Sequence, residues 1–193
     1  MTNLHQFLKL FPRNFKILDY RRRSQSQIQR LSEKKLKMLA EKLVKKLKCH
    51  KLFLAAMESC TGGGLMNEIT NIPGASEITK GGLITYSISE KIAQGVPAAL
   101  IKKHSVYSPQ VAVAMAVQAI KKMKGSQIGV GITGRLSYGL KERKKYPFDE
   151  VFLAVIYKNK FLVQRLLLAP QKSRAVAKAI IIYEALKAVG RVI

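Results

Sequence analysis

The segment over residues 52–69 constrains the fold more strongly than any other part of the chain. Residues 52–57 (LFLAAM) form a short apolar run between polar residues, which is typical of a buried strand. Three consecutive glycines follow at residues 62–64, and apolar residues then recur at helical spacing from Leu65 to Ile69. A buried strand that turns directly into a helix is a building unit of layered α/β proteins.

The rest of the chain continues this alternation of strands and helices. The further predicted strands cover residues 82–87, 128–133, 151–157 and 161–168, the last two as a hairpin. The predicted helices that follow the glycines cover residues 89–93, 97–104, 108–123 and 171–189. Helices interleaved with buried strands, together with one hairpin, predict an α/β fold, a three-layer α/β/α sandwich with a mixed sheet.

A predicted amphipathic helix separates an N-terminal extension from this domain. After Ser32, a residue suited to an N-cap, apolar residues recur every three or four positions up to Leu47, with lysines on the other face. Such a stripe either packs against a core, the commoner case, or lies on a membrane surface. We therefore divide the chain into a basic N-terminal extension, residues 1–31, and a domain over residues 32–193. The extension is expected to be flexible or partly helical, with an organelle transit peptide as the alternative.

The net charge of +24 predicts an anionic partner without identifying it. A field of this size attracts nucleic acid, anionic membranes and phosphorylated small molecules. Much of the excess lies before residue 52, and a second cluster covers residues 141–145 (KERKK). A lysine-rich surface that is merely solvated gives the same composition.

The cysteines and the apolar runs indicate the compartment. Neither Cys49 nor Cys60 belongs to a CxxC pair or has histidines at metal-ligand spacing, so no structural zinc is expected. No uninterrupted apolar run approaches the roughly 20 residues that cross a bilayer. We therefore expect a soluble, cytoplasmic protein.

The turn after the first buried strand places a hydroxyl where α/β proteins usually bind small molecules. Ser59 follows that strand at its C-terminal end. The next helix is expected to point free backbone N–H groups at the same place, where they stabilise an anion or a developing oxyanion. Ser59 is therefore a candidate nucleophile. The alternative is that Ser59 or Thr61 only caps the helix and the glycines only form the turn.

Several motifs, in order, resemble the CinA C-terminal family. The segment AMESCTGG at residues 56–63 is similar to the family signature A-x-E-S-C-T-G-G. The segment KGGLITYS at residues 80–87, with Lys91 four residues later, is similar to its G-G-x-V-T-Y-S-N-x-x-K block. IPGAS at residues 72–76 resembles its x-P-G-S-S turn, and the likeness extends from about residue 33 to the C-terminus.

The resemblance implies an enzyme that hydrolyses the carboxamide of nicotinamide mononucleotide to nicotinate mononucleotide and ammonia. The family roles fall on Ser59, which would attack the amide carbon, on Lys91, which would take and return the proton, and on Tyr86, which would assist and orient. A lysine acts as a base near neutral pH only where burial or nearby positive charge lowers its pKa. Lys91 therefore has to be at least partly buried. From the residues alone, the favoured interpretation of Lys91 is a solvated helix lysine, and that of Tyr86 is a core residue of a strand.

The resemblance also implies substrate contacts from two turns. The backbone N–H groups of Cys60 and Thr61, next to Gly62, would line an oxyanion hole. Thr133 and Gly134 would face the same cleft from the end of their strand.

A basic residue near the last helix is implied as the contact for the substrate phosphate. Arg174 is the candidate because its planar fork suits phosphate, and Lys172 competes for the role. The family implies no metal and no organic cofactor. The expected partners are a small-molecule nucleotide substrate and further copies of the chain, with nucleic acid or an anionic membrane as possible contacts of the basic N-terminal region.

The chain departs from the family pattern after Gly134. The family continues T-G-I-A-G-P-x-G-G, a glycine-rich loop over the site, whereas residues 133–139 read TGRLSYG here. Bulky residues replace glycines that let the backbone approach a ligand closely. This change and the charge of +24 favour an alternative function, a catalytically weakened relative that binds nucleotide or nucleic acid through its basic surface.

Overall fold

The protein is built from six strands and the helices that cover them. The structure, a computed structural model, describes residues 17–20, 33–136, 144 and 146–193. The strands are β1 (Ile17–Tyr20), β2 (Leu54–Glu58), β3 (Thr79–Ile84), β4 (Ile128–Arg135), β5 (Asp149–Tyr157) and β6 (Lys160–Leu168). The helices within the described residues are α1 (Glu33–Cys49), α2 (Gly64–Thr70), α3 (Ile88–Ala93), α4 (Ala98–His104), α5 (Pro109–Lys122) and α6 (Arg174–Val192).

The strands form one mixed sheet in the order β1-β6-β5-β4-β2-β3. β2 pairs in parallel with both β3 and β4, while β4, β5 and β6 pair antiparallel in sequence. The β5–β6 hairpin turns through Lys158, whose φ of 51° is the left-handed conformation that two-residue hairpin loops use. The predicted mixed sheet and its hairpin are confirmed.

Helices cover the sheet on both faces. One buried cluster joins α1, α2 and α6 to the side chains of Leu54, Ala56 and their neighbours on one face. The alternate residues Ala55 and Met57 pack with α4 and α5 on the other face. Since successive side chains of a strand point to opposite faces, this alternation defines three layers, and the predicted α/β/α sandwich is confirmed.

The apolar stripe of α1 is used inside the protein. Its residues Leu36, Ala40, Leu43, Val44 and Leu47 are all buried in the cluster that contains α6. The alternative in which this stripe lies on a membrane surface is therefore wrong for α1. Among the helices of the described residues, none combines the length and the apolarity that a membrane span requires.

Strand β3 occupies a different stretch from the predicted one. It runs over Thr79–Ile84, whereas the sequence predicted residues 82–87. The strand cannot continue further because Ser87 caps the next helix, accepting a hydrogen bond from the Glu90 N–H at 3.0 Å. Thr85 and Tyr86 therefore lie between the end of β3 and the start of α3, beside the end of β2.

The N-terminal residues contribute an edge strand where the sequence predicted a flexible or helical stretch. β1 pairs in parallel with β6, with Ile17 opposite Val163. The predicted N-cap at Ser32 and the rest of residues 1–31 lie outside the described residues, as does the charged cluster over residues 141–145 apart from Lys144. The boundary after residue 31 stays a prediction.

Candidate active site

Ser59 lies directly after the C-terminal end of β2, beside the end of β3 and beside β4, which continues to Arg135. β2 ends at Glu58, and the Glu58 carbonyl accepts a hydrogen bond from the Thr85 N–H at 2.8 Å. This bond extends the pairing of β2 and β3 by one step and holds Thr85 next to Ser59. The Ser59 side chain is 5% exposed, so its hydroxyl sits in a largely water-free position.

Lys91 points at Ser59 from the first turns of α3. The Ser87 cap starts this helix, and Lys91 is 1% exposed. Its Nζ lies 3.0 Å from Ser59 Oγ, 2.6 Å from the Thr85 carbonyl oxygen and 3.4 Å from the Tyr86 carbonyl oxygen. The burial that the predicted catalytic role requires is present.

The surroundings of Lys91 favour its neutral form. Burial lowers the pKa of Lys91 from 10.5 to about 8, against a smaller opposing effect of Cys60. A neutral amine has two N–H bonds and one lone pair. Since the carbonyls of Thr85 and Tyr86 take the two N–H bonds, the lone pair is left for the Ser59 hydroxyl proton. The arrangement suits a base that acts on Ser59.

Cys60 does not compete as a nucleophile. It is 3% exposed, and burial raises the pKa of its thiol to about 12. The reactive form of a cysteine is the thiolate, which is therefore scarce at neutral pH.

A carboxylate accepts hydrogen bonds from the first N–H groups of α2. Glu58, 1% exposed, accepts hydrogen bonds from the Leu65 N–H at 3.1 Å and from the Met66 N–H at 3.0 Å. The prediction that this helix offers free N–H groups to an anion is wrong for these two amides. The alternative in which Ser59 or Thr61 caps the helix is also wrong, because the cap position is Gly63 and no side chain there accepts a bond.

The amides of Cys60 and Thr61 are the remaining oxyanion candidates. The Cys60 N–H lies against its own sulfur, whereas the Thr61 N–H donates to no backbone acceptor within the described part of the chain. The Thr61 side chain is buried, and its hydroxyl has no partner among the described residues. Gly62 follows with a φ of 65°, a conformation that favours glycine. The side chain of Thr61 and Gly62 do not line the adjacent cavity.

A cavity of about 390 Å³ opens over Ser59 and Lys91. Its other lining residues are Cys60, Tyr86, Ile88, Val106, Tyr107, Gly134, Arg135, Leu136, Tyr146 and Arg174. Three of these lining residues are cationic and none is acidic. The cavity therefore suits an anionic ligand.

Arg174 and Tyr86 meet at the cavity. Arg174 donates from Nη1 to the Leu136 carbonyl at 2.5 Å, and its Nη2 lies 3.5 Å from the Tyr86 hydroxyl. Tyr86 is 66% exposed, so it is not the core residue that the alternative proposed, and its hydroxyl contacts neither Ser59 nor Lys91. Lys172, the competitor of Arg174, is exposed and does not line the cavity.

Thr133 does not reach the cavity, which contradicts its predicted substrate contact. Its side chain is fully buried, and the hydroxyl donates to the Val106 carbonyl at 2.9 Å. Thr133 therefore fastens β4 to the segment before α5. Its neighbour Gly134 does line the cavity.

Three polar lining residues carry no role in the sequence analysis, namely Tyr107, Arg135 and Tyr146. The rings of the two tyrosines lie beside the Arg135 guanidinium. The departure from the family pattern at residue 135 is the sequence signal that marks this position. In the described part of the chain, no group of three or more His, Cys, Asp or Glu side chains is arranged to hold a metal ion.

Fold and site together define an α/β protein with a buried serine–lysine pair at the end of a parallel strand. A family model described as the CinA C-terminal domain matches residues 36–193. The chain belongs to the CinA C-terminal domain family.

Relatives and solved structures agree with this assignment. A putative competence-damage inducible protein from Moorella thermoacetica is 38% identical over 122 residues, which cover 63% of this chain and 29% of that protein. A CinA-like protein from Desulfovibrio desulfuricans is 41% identical over 118 residues, which cover 61% of this chain and 27% of that protein. The match thus spans less than a third of these relatives' length.

Crystal structures share the fold over most of the chain. The competence/damage inducible protein CihA from Agrobacterium tumefaciens superposes with a TM-score of 0.71 at 23% identity, covering 81% of this chain and 94% of that one. A CinA superfamily protein from Klebsiella pneumoniae gives 0.72 at 22% identity, covering 81% and 96%. At this identity the likeness shows the fold alone.

Proposed function

We propose that the protein is an amidohydrolase that converts nicotinamide mononucleotide and water to nicotinate mononucleotide and ammonia. The observation that carries the proposal is the 3.0 Å contact between Ser59 Oγ and the Nζ of the buried Lys91. A serine is a weak nucleophile until a neighbouring base takes its proton. Lys91 is the titratable group in contact with Ser59 in the described structure, and its lowered pKa fits that role.

The reaction proceeds in two acyl-transfer steps. Neutral Lys91 takes the Ser59 hydroxyl proton while Oγ bonds to the carboxamide carbon, which gives a tetrahedral intermediate. Lys91 then returns the proton to the leaving nitrogen, the C–N bond breaks, and ammonia departs from an ester on Ser59. Water attacks this ester with Lys91 again as base, and nicotinate mononucleotide is released.

Two further groups support this chemistry in the proposal. The Cys60 and Thr61 amides would stabilise the oxyanion, and the Thr61 amide donates to no backbone acceptor among the described residues. The cationic lining supports an anionic substrate, and Arg174 contributes a guanidinium at the cavity wall. Tyr86 contacts Arg174, so it would position that guanidinium rather than take part in proton transfer.

The test is ammonia release from nicotinamide mononucleotide by the purified protein. Ser59→Ala and Lys91→Met are expected to lower kcat by at least about 1000-fold, because each removes one half of the nucleophile–base pair. Lys121→Met, which removes an exposed lysine at the end of α5, is the matched control and should retain activity. Lack of activity in a folded parent protein, or full activity in Ser59→Ala, would refute the proposal.

The lysine face of α1 favours a second candidate function, non-specific binding of nucleic acid. Lys34, Lys37, Lys42 and Lys45 are exposed on this helix, opposite its buried stripe. Binding driven by such charges weakens steeply with salt and shows no sequence preference. A filter-binding titration with duplex DNA at 50 and 200 mM salt tests this. The candidate fails if no binding occurs at the lower salt, or if replacing these four lysines with glutamine changes nothing.

A further inference from the structure

Arg135 is fixed in the cavity wall by aromatic stacking. It is the last residue of β4 and follows Gly134, where the chain leaves the family's glycine-rich pattern. Its guanidinium carbon lies 3.6 Å from the centre of the Tyr146 ring and 5.8 Å from the centre of the Tyr107 ring. All three residues line the cavity that contains Ser59. Stacking of this kind holds a guanidinium plane in one orientation.

The N–H groups of Arg135 make few hydrogen bonds to the described part of the protein. Its nearest carboxylate is Glu150, and the Nη2–Oε2 distance of 3.6 Å is too long for a hydrogen bond. Glu150 is already held by Arg165, which donates to Oε1 from Nε at 2.8 Å and approaches it with Nη2 at 2.7 Å. The Arg135 Nε is buried and has no hydrogen-bond partner among the described residues. The Arg135 side chain as a whole is 26% exposed, so a ligand in the cavity would meet the guanidinium at its exposed N–H groups rather than at Nε.

The other two cations of the cavity are more fully engaged. Lys91 contacts Ser59 and two carbonyls, and Arg174 donates to the Leu136 carbonyl. Leu136 is the chain neighbour of Arg135, so Arg174, the first residue of α6, is bonded beside Arg135 at the end of β4. Arg135 is thus the cation whose donors are most available to an anion with several oxygens.

We propose that Arg135, oriented by Tyr146 and Tyr107, binds the phosphate group of the nucleotide substrate and makes this chain selective for phosphorylated amides. The inference rests on the proposed function for the identity of the substrate, whereas the phosphate site itself does not depend on catalysis. The contact from the Arg135 side chain would take the place of the close backbone approach that the family's glycines allow after this strand.

Binding and kinetics test the inference separately. Calorimetric titrations compare ribose 5-phosphate, ribose and inorganic phosphate on the parent protein, Arg135→Met and Arg135→Lys. Arg191→Met, which removes one positive charge from the last turn of α6, away from the cavity, is the matched control. We expect Arg135→Met to bind ribose 5-phosphate about 10- to 100-fold more weakly than the parent, Arg135→Lys to lie between them, and the control to change little.

The kinetic arm compares nicotinamide mononucleotide with nicotinamide riboside, which carries the same amide without phosphate. Arg135→Met should lower the ratio of the two kcat/KM values by about 10- to 100-fold. If the parent releases no ammonia from either compound while Arg135→Met still loses ribose 5-phosphate, the proposed function fails and the phosphate site stands.

Several results would overturn the inference. One is no binding of ribose 5-phosphate to the parent, and another is equal binding by the parent and Arg135→Met. Equal affinity of the parent for ribose 5-phosphate and inorganic phosphate would assign the site to free phosphate instead of the substrate. An equal loss of kcat/KM on both amides would give Arg135 a structural role only. Thermal melts of all variants, with Arg135→Lys as the conservative change, separate these outcomes from misfolding.

Discussion

Replacing Lys91 with methionine tests the electrostatics of the site without relying on any activity. Methionine keeps an unbranched chain of similar length, so the packing around α3 is largely preserved. In the folded protein Lys91 loses its proton near a pKa of about 8, and in the unfolded chain near 10.5. Keeping the buried amine charged at pH 7 therefore costs about 3 kcal/mol of folding free energy.

The hydrogen bonds of Lys91 offset this cost at neutral pH. Its Nζ has three polar contacts, each contributing about 1 kcal/mol. The two effects nearly cancel, so Lys91→Met should unfold at pH 7 with a free energy within about 1 kcal/mol of the parent. At higher pH the sign is fixed by proton binding: between pH 8 and 10.5 the unfolded chain holds more protons on this residue, so raising the pH stabilises the parent. From pH 7 to pH 10 the parent should gain about 2.5 kcal/mol relative to the variant.

Urea unfolding followed by circular dichroism at pH 7, 8, 9 and 10 measures this difference. The other titrating groups affect both proteins alike, so subtraction isolates Lys91. Lys121→Met, which removes an exposed lysine at the end of α5, is the control for the loss of one lysine side chain. A flat difference for Lys91→Met over the same range would show that the folded amine titrates like a free lysine, and the reasoning from burial would be wrong.

Three further predictions concern the site and the assembly. Because the neutral form of Lys91 acts as base, kcat/KM on nicotinamide mononucleotide should rise about tenfold from pH 7 to pH 9 and level off above a pKa of about 8; a flat profile would exclude this base. Glu58→Gln should lower the free energy of unfolding by about 2 kcal/mol, because the two helix N–H groups bond to different carboxylate oxygens and glutamine replaces one of these oxygens with an NH2 that cannot accept; urea melts check this, and an unchanged midpoint would refute it. Exposed side chains at Ile84, Ile88 and Ile92 are consistent with the predicted homo-oligomer. Light scattering should give the parent a mass that is a multiple of 21.6 kDa, and Ile84→Lys should lower that mass; a monomeric parent would refute the prediction.

Local chemistry made the α/β layers and the position of Ser59 predictable. The helix predicted over residues 108–123 is observed as α5, with Ser108 as its cap and Ser108 Oγ accepting from the Val111 N–H at 3.3 Å. The apolar run before the glycines likewise gave β2 to within two residues. Such signals depend on neighbours in the chain, so one sequence is enough to read them.

Contacts between distant segments account for what the sequence did not give. β4 is buried on both faces, so its apolar and polar residues do not alternate in a way that shows which side chains face the cavity. The sequence therefore could not show that Thr133 points away from the cavity. The role of Glu58 was hidden because it caps a helix that begins six residues later, a separation outside the usual capping motifs. Arg135 became a site residue only when β4 and Tyr146 were brought together.

The hydroxyl of Thr133 has a mechanical consequence for how the cavity responds to a ligand. The Thr133 hydroxyl donates a hydrogen bond to the Val106 carbonyl, which ties the cavity wall of Val106 and Tyr107 to β4. Since β4 is paired on both sides within the sheet, this wall has little freedom to move. A lining residue outside such a brace, such as the largely exposed Tyr86, can instead shift by rotating a side chain. The cavity thus has one side fixed to the sheet, at Val106 and Tyr107, and one side that can adjust, at Tyr86. A ligand therefore has to fit against the fixed side.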